Sequence, residues 1–185
     1  MSTANPGIVI RGEEERTDSN TVRLVKIRET SVDDLQAALD LNNWSIPALN
    51  ELDAAEIERL LGMAAVALTA EVGGAFAGFC ITFPQGVDYA SLNYGWFSRN
   101  YDDFVYLDRI AVDPAYRRLG IGKAFYAHVI ERFTGVYAHL LCEVNVRPRN
   151  EASLLFHHSI GFREVGQQDT DGGNKTVSLL ALRLE

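Results

Sequence analysis

The stretch Arg117-Arg118-Leu119-Gly120-Ile121-Gly122-Lys123 has the residue types and spacing to hold a phosphate or pyrophosphate. Two glycines in a turn that opens a helix leave backbone amides unpaired at the positive end of the helix dipole, where anions settle. Arg117, Arg118 and Lys123 concentrate positive charge there, in a chain whose net charge is -8. Two familiar phosphate-binding patterns are excluded. A P-loop requires Gly, four residues, then Gly-Lys-Ser/Thr, but Arg117 holds the first glycine position and Ala124 follows Lys123. A dinucleotide fingerprint requires a third glycine three residues after Gly122, where Phe125 stands.

Such a turn needs a strand before it and a helix after it. Val105 to Val112 is an apolar, strand-like run, and Ile121, Phe125, His128, Val129 and Phe133 recur at helical spacing to define one apolar face. Upstream, Val22 to Arg28 alternates as a first strand. Ser31 is placed to cap a helix carrying Leu35, Ala38 and Leu39, with Asp33 and Asp34 in its first turn. Asn42 to Pro47 is a connector, and Asp53 restarts a short helix through Ile57, Leu60 and Leu61. Ala64 to Val72 and Ala75 to Phe83 form a hairpin across Gly73-Gly74. Pro84 to Asp103 reads as a long, aromatic-rich and therefore functional loop. Ala138 to Val146 is another strand. Asn150 caps a helix running through Leu154, Leu155 and His158 to Gly161, and Phe162 to Gln168 pairs with Thr176 to Leu182 in a last hairpin. Hairpins at both ends with one strand-helix-strand crossover between them predict an α+β (mixed α/β) fold, a mostly antiparallel sheet of about seven strands flanked by helices. Residues 1–20 are polar and read as a flexible leader, and residues 21–185 as a single domain.

A chain of 185 residues with 47% hydrophobic content can bury one sizeable core. Cys80 and Cys142 lie in apolar runs, where buried thiols are the usual outcome, and favour a reducing, cytoplasmic setting. The acidic balance argues against nucleic acid or an anionic membrane as partner and sits more easily with an amine substrate. No apolar run of membrane-spanning length occurs, nor a basic region followed by an apolar core at the start, so neither a span nor a signal peptide is expected. No His, Cys and carboxylate spacing suits zinc, and no metal is expected.

With these elements placed, Val105 to Phe133 resembles the acyl-coenzyme A binding motif of the GCN5-related N-acetyltransferases (GNAT superfamily), in which a Gln/Arg-x-x-Gly-x-Gly/Ala turn wraps the pyrophosphate. Asn150 to Phe162 resembles the same family's Asn-x-x-Ala…Tyr-x-x-x-Gly-Phe helix and strand, with Ser153 in place of Ala and His157 in place of Tyr. The resemblance implies the GNAT fold, acetyl-coenzyme A as co-substrate, and acetyl transfer by direct attack of a primary amine belonging to a small molecule or peptide. It implies that residues Arg117 to Lys123, including Leu119 and Ile121, surround the pyrophosphate, with Asn150 and Ser153 also at the cofactor. Backbone groups of Ile110, Ala111 and Val112 would hold the pantetheine and thioester, and an amide near Val112 the oxyanion. The strands at 105–112 and 138–146 would splay to admit the cofactor, and His157 would protonate or contact the departing sulfur. The other reading of His157 is a packing or capping histidine.

An ordinary alkylamine, with pKa near 10.4, is neutral in roughly one molecule in a few thousand at pH 7, so a base or water relay is needed. Glu143 and Asp108 each interrupt an apolar run and are the carboxylate candidates; the alternative for each is a solvated or ion-paired strand residue. His128, His139 and His158 read as core or surface residues. Asn42, Asn43 and Trp44 in the first connector, with Tyr94, Trp96, Phe97 and Tyr101 in the long loop, are candidates for the acceptor site; otherwise these aromatics cover the sheet or pack a homodimer contact. The alternative to an enzyme is a catalytically inactive acyl-coenzyme A binding or sensing domain.

Overall fold

The computed structural model describes residues 24–185; the leader at 1–20 and the expected start of the first strand at Val22 lie outside the described residues. Among the described residues seven strands form one sheet: β1 (Val25–Glu29), β2 (Val66–Val72), β3 (Ala75–Pro84), β4 (Phe104–Val112), β5 (His139–Arg147), β6 (Arg163–Thr170) and β7 (Lys175–Arg183). Their spatial order is β1-β2-β3-β4-β5-β7-β6, with β4 and β5 the one parallel pair. Within the described residues five α-helices flank it: α1 (Leu35–Trp44), α2 (Ala54–Met63), α3 (Leu92–Asn100), α4 (Ile121–Phe133) and α5 (Glu151–Ser159). This is the mixed α+β architecture expected from the order of hairpins and crossover. Among the described residues no helix is long and apolar enough to cross a membrane.

Caps fix several boundaries. Asp53 accepts the Glu56 amide at 2.8 Å to start α2, and Asn150 accepts the Ser153 amide at 3.2 Å to start α5. Ser31 and Asp34 form a capping box around a 3-10 turn, Val32–Asp34, that leads into α1. Arg28 grips both Asp34 oxygens, at 2.6 and 2.8 Å, and Glu71 at 2.6 Å, tying the first helix to the sheet edge. That grip, ahead of the opposing effect of burial, holds the Asp34 carboxyl well below the usual range.

Three expectations change. Pro84 to Asp103 is not all loop, since α3 occupies its centre. Ser91 caps it through the Tyr94 amide, and Tyr94, Phe97 and Tyr101 recur on its inner side, while Asn93, Gly95 and Asn100 lower its helix propensity. The turn from β4 to α4 is interrupted by a 3-10 turn, Pro114–Tyr116, capped by Asp113 through the Ala115 amide. His128 is exposed, and Tyr126 takes its expected place on the buried face of α4.

Each face of the sheet carries its own core. On one, α4 and α5 bury Phe125, Val129 and Leu154 against Leu107, Leu140 and Cys142. On the other, α1, α2 and α3 bury Ile57, Leu60 and Phe97 against Phe79, Tyr106 and Leu141. Two features of β4 shape the centre. It pairs with β5 only from Phe104 to Tyr106, opposite His139 to Leu141. It also carries a bulge: Thr82 faces Leu107 while Ile81 faces Arg109, leaving Asp108 as the extra residue. Gly78 lets β3 approach β4 beyond that bulge, because a β-carbon there would lie 2.6 Å from the Ala111 carbonyl oxygen.

Candidate active site

Where β4 and β5 cease to pair, a cavity of about 1050 Å³ opens, lined by Leu107 to Val112 of β4 and Cys142 to Asn145 of β5. The expected parting of these strands is therefore present, with Ile110, Ala111 and Val112 along its wall. Beyond Tyr106, β4 makes no ladder bond to β5, so its backbone groups on that edge are available to a ligand.

Glu143 sits at the mouth of this gap. Tyr106 donates its hydroxyl to both carboxylate oxygens, at 2.9 and 2.7 Å, and Asn93 donates to Oε1 at 2.9 Å. Gln168 holds Asn93 in turn, donating to its Oδ1 at 2.8 Å. Desolvation pushes Glu143 up to about 7; the Tyr106 hydrogen bond opposes this and the charge of Asp108 adds to it. Asp108 accepts the Tyr89 hydroxyl on Oδ1 at 2.7 Å, and its Oδ2 lies 3.0 Å from Arg109 Nε. Burial raises its pKa and Arg109 opposes the rise. Arg109 donates to Asn42 Oδ1 at 2.8 Å and to the Asn50 carbonyl at 3.2 Å. The bulge explains why neighbours on one strand share a face: both Asp108 and Arg109 meet the α1–α3 side.

The opposite wall is built from α4 and α5. The ring Nδ1 of His157 is 2.7 Å from the Ser153 carbonyl, which only accepts, so Nδ1 carries a proton. Burial lowers the pKa of His157, favouring the neutral ring, whose Nε2 accepts the Tyr126 hydroxyl at 2.6 Å. Both ring nitrogens are thus engaged inside the protein. Tyr126, Asn150, Ser153 and His157 all line the cavity.

At the start of α4, Gly120 occupies the left-handed region (φ +81) as N-cap, a conformation that disfavours any side chain. Arg118 shares that region at φ +65. The first helical bond runs from the Ala124 amide to the Gly120 carbonyl, so the amides of Ile121, Gly122 and Lys123 precede the ladder. Arg117, Arg118, Leu119 and Lys123 are exposed around them, and Arg117 lies over the Trp44 ring, 5.4 Å from its centroid. Free amides flanked by three cations suit a pyrophosphate.

Of the acceptor-site candidates, Trp44 lines the cavity and is largely exposed, whereas Asn43, Tyr94, Trp96, Phe97 and Tyr101 are taken up in internal contacts. Asn43 braces the segment after α1, donating to the Leu52 carbonyl and accepting its amide. Tyr94 is buried, its hydroxyl donating to the Pro84 carbonyl at 2.8 Å. Trp96 lies over Gly166, where a β-carbon would come within 3.0 Å of its ring. Phe97 is in the core and Tyr101 packs on His139. Asn42, fully buried, reaches the site indirectly through Arg109. Sequence reasoning missed Tyr89, Asn93, Tyr106, Arg109 and Tyr126. Tyr106 and Arg109 flank Asp108 in a run already singled out, a signal that was there to use; no spacing connects Tyr126 with His157, which lie in different helices.

Known proteins share this architecture. The profile of the Acetyltransferase (GNAT) family matches residues 29–162. A curated relative, the [ribosomal protein bS18]-alanine N-acetyltransferase of Escherichia coli (strain K12), is 37% identical over 82 residues, 41% of this chain and 53% of the relative. The chain thus spans about half the length of the curated relatives it matches. Among solved structures, the ribosomal-protein-S18-alanine N-acetyltransferase from Escherichia coli superposes with a TM-score of 0.67 at 23% identity, covering 88% of this chain and 95% of the other. Arabidopsis thaliana NAA60, solved with a bisubstrate analogue, gives 0.69 at 17% identity, covering 86% and 98%.

Proposed function

The chain belongs to the acetyltransferase (GNAT) family, and from that premise we propose that it transfers the acetyl group of acetyl-coenzyme A to a primary amine, the α-amine of a peptide among the candidates. The observation that carries the reading is Glu143: a carboxylate at the strand gap, held by Tyr106 and Asn93, with a pKa near 7. A base in that range is ionised often enough to accept a proton and basic enough to take one from an amine at neutral pH.

The roles follow from position. The amides of Ile121, Gly122 and Lys123, with Arg117, Arg118 and Lys123 side chains, would hold the pyrophosphate. The free edge of β4 at Ile110 to Val112 would hold the pantetheine arm, and an amide near Val112 would stabilise the carbonyl oxygen as it gains charge. Glu143 takes the proton from the attacking nitrogen. The His157–Tyr126 pair lies on the opposite wall, facing the departing sulfur; a thiol of pKa about 8.5 needs little acid assistance. Cys142 also lines the cavity, but burial pushes its thiol well above its ordinary value, which supports direct attack over an acyl-enzyme. Two buried free thiols support a reducing, cytoplasmic setting.

The test is thiol release from acetyl-coenzyme A with n-butylamine and an alanine-leading tripeptide as acceptors. Amine-dependent release in the wild type, lost in Glu143→Gln, is expected. Tight coenzyme A binding without release on any amine would replace this reading with the sensing domain.

A further inference from the structure

We propose that Gln168 is a positioning residue for Glu143, acting through Asn93: its carboxamide orients that of Asn93 so that an N–H, and not an oxygen, meets the carboxylate. The proposal rests on the reading of Glu143 as the base and adds to it how that base is held. Its origin is a chain of two hydrogen bonds. Gln168 Nε2 donates to Asn93 Oδ1 at 2.8 Å, and Asn93 Nδ2 donates to Glu143 Oε1 at 2.9 Å. An ionised carboxylate only accepts, which settles the direction of the chain. Asn93 turns its nitrogen to Glu143 and its oxygen to Gln168, and Gln168 answers with a nitrogen.

The fold is built to allow this reach. β7 lies between β5 and β6, so Gln168 stands two strands from Glu143, about 10 Å across the sheet and too far for direct contact. The helix α3 spans that distance. Gln168 and Gly166, two residues apart, share the face of β6 that turns to α3: Gln168 pairs with Val177 and Gly166 with Leu179, both in the core on the α1–α3 side. On α3, Asn93 and Trp96 are three residues apart and so neighbours on its surface. Trp96 seats on Gly166, and that close approach sets Asn93 between Gln168 and Glu143.

The consequence falls on the proton equilibrium of Glu143. The titratable groups around it are Tyr106, Asp108 and Arg109 of β4, Tyr89 ahead of α3, Cys142 beside it and Tyr126 of α4, with Arg59 of α2 acting on Asp108. Burial and Asp108 disfavour the ionised form, while the Tyr106 hydroxyl, the Asn93 amide and Arg109 favour it. Turned about, Asn93 would offer an oxygen, which only the protonated acid can use. Gln168 can follow that flip only by exchanging a chain that ends on a charge for one that ends on a neutral acid, the weaker of the two. The aligned carboxamides therefore keep the carboxylate ready to take a proton.

The experiment follows the Glu143 carboxyl carbon through pH by carbon-13 NMR, beside the pH dependence of kcat. Asn93→Leu should raise the Glu143 midpoint by about one pH unit, the scale of one hydrogen bond to a charged group, and Gln168→Leu by about half that. Together the two should shift it no further than Asn93→Leu alone. No shift in Gln168→Leu, or the same shift whether or not Asn93 is present, would overturn the proposal, because a merely structural role does not run through Asn93. A further measurement needs only the wild type: the nitrogen-15 signals of the Asn93 and Gln168 carboxamides should both titrate with the Glu143 midpoint, and a Gln168 signal indifferent to it would also overturn the proposal. Failure of the underlying reading looks different, since the Glu143 midpoint would then move in the variants while the pH dependence of kcat did not follow.

Discussion

The two walls of the cavity are built on opposite principles. On the α1–α3 side, Glu143 and Asp108 are ionisable carboxylates, each supported by a tyrosine hydroxyl, Tyr106 and Tyr89. On the α4–α5 side, His157 and Tyr126 satisfy each other and the Ser153 carbonyl, and burial keeps both neutral. One wall can take up a proton; the other presents a neutral, fully bonded surface. Under the proposed function, proton transfer would fall to the carboxylate wall, with the sulfur leaving along the neutral one.

Substitutions on each wall separate these roles. Glu143→Gln should have the largest effect, lowering kcat by about a thousandfold, within the span known for general-base loss, with coenzyme A affinity unchanged by calorimetry. Gly122→Glu, at the head of the neutral wall, should weaken coenzyme A binding about a hundredfold by setting an anion against the phosphates; unchanged affinity would remove the turn from the cofactor site. His157→Phe should slow turnover about tenfold and leave cofactor binding nearly intact. If its loss matched that of Glu143→Gln, the division between the walls would fail. The smallest change is a displacement of the pH profile. Because the Tyr106 hydroxyl favours the ionised form of Glu143, Tyr106→Phe should move the rise of kcat to higher pH, read from steady-state rates across the range.

How legible these walls were in the sequence depended on how local their signals are. The glycine turn, the Asn150 cap, both hairpins and the two carboxylates in apolar runs stand out because each is a short-range pattern of residue types. The α3 helix was hidden by its weak formers Asn93, Gly95 and Asn100, although Ser91, Tyr94, Phe97 and Tyr101 keep helical spacing. The bulge at Asp108 depends on how β3 and β4 are registered, which strand alternation does not reveal. The engagement of His157 by Tyr126 arises only when α4 and α5 pack on the same face. Tyr94 and Trp96 were legible as aromatics, but their burial against the sheet is a tertiary outcome.

The pH dependence of kcat in the wild type and in Glu143→Gln tests the central claim most directly. The wild type should gain activity as pH rises through about 7, because the base must be ionised to accept the amine proton, and the limb should vanish in the variant. A limb near the same pH that persists in Glu143→Gln would show that another group is the base.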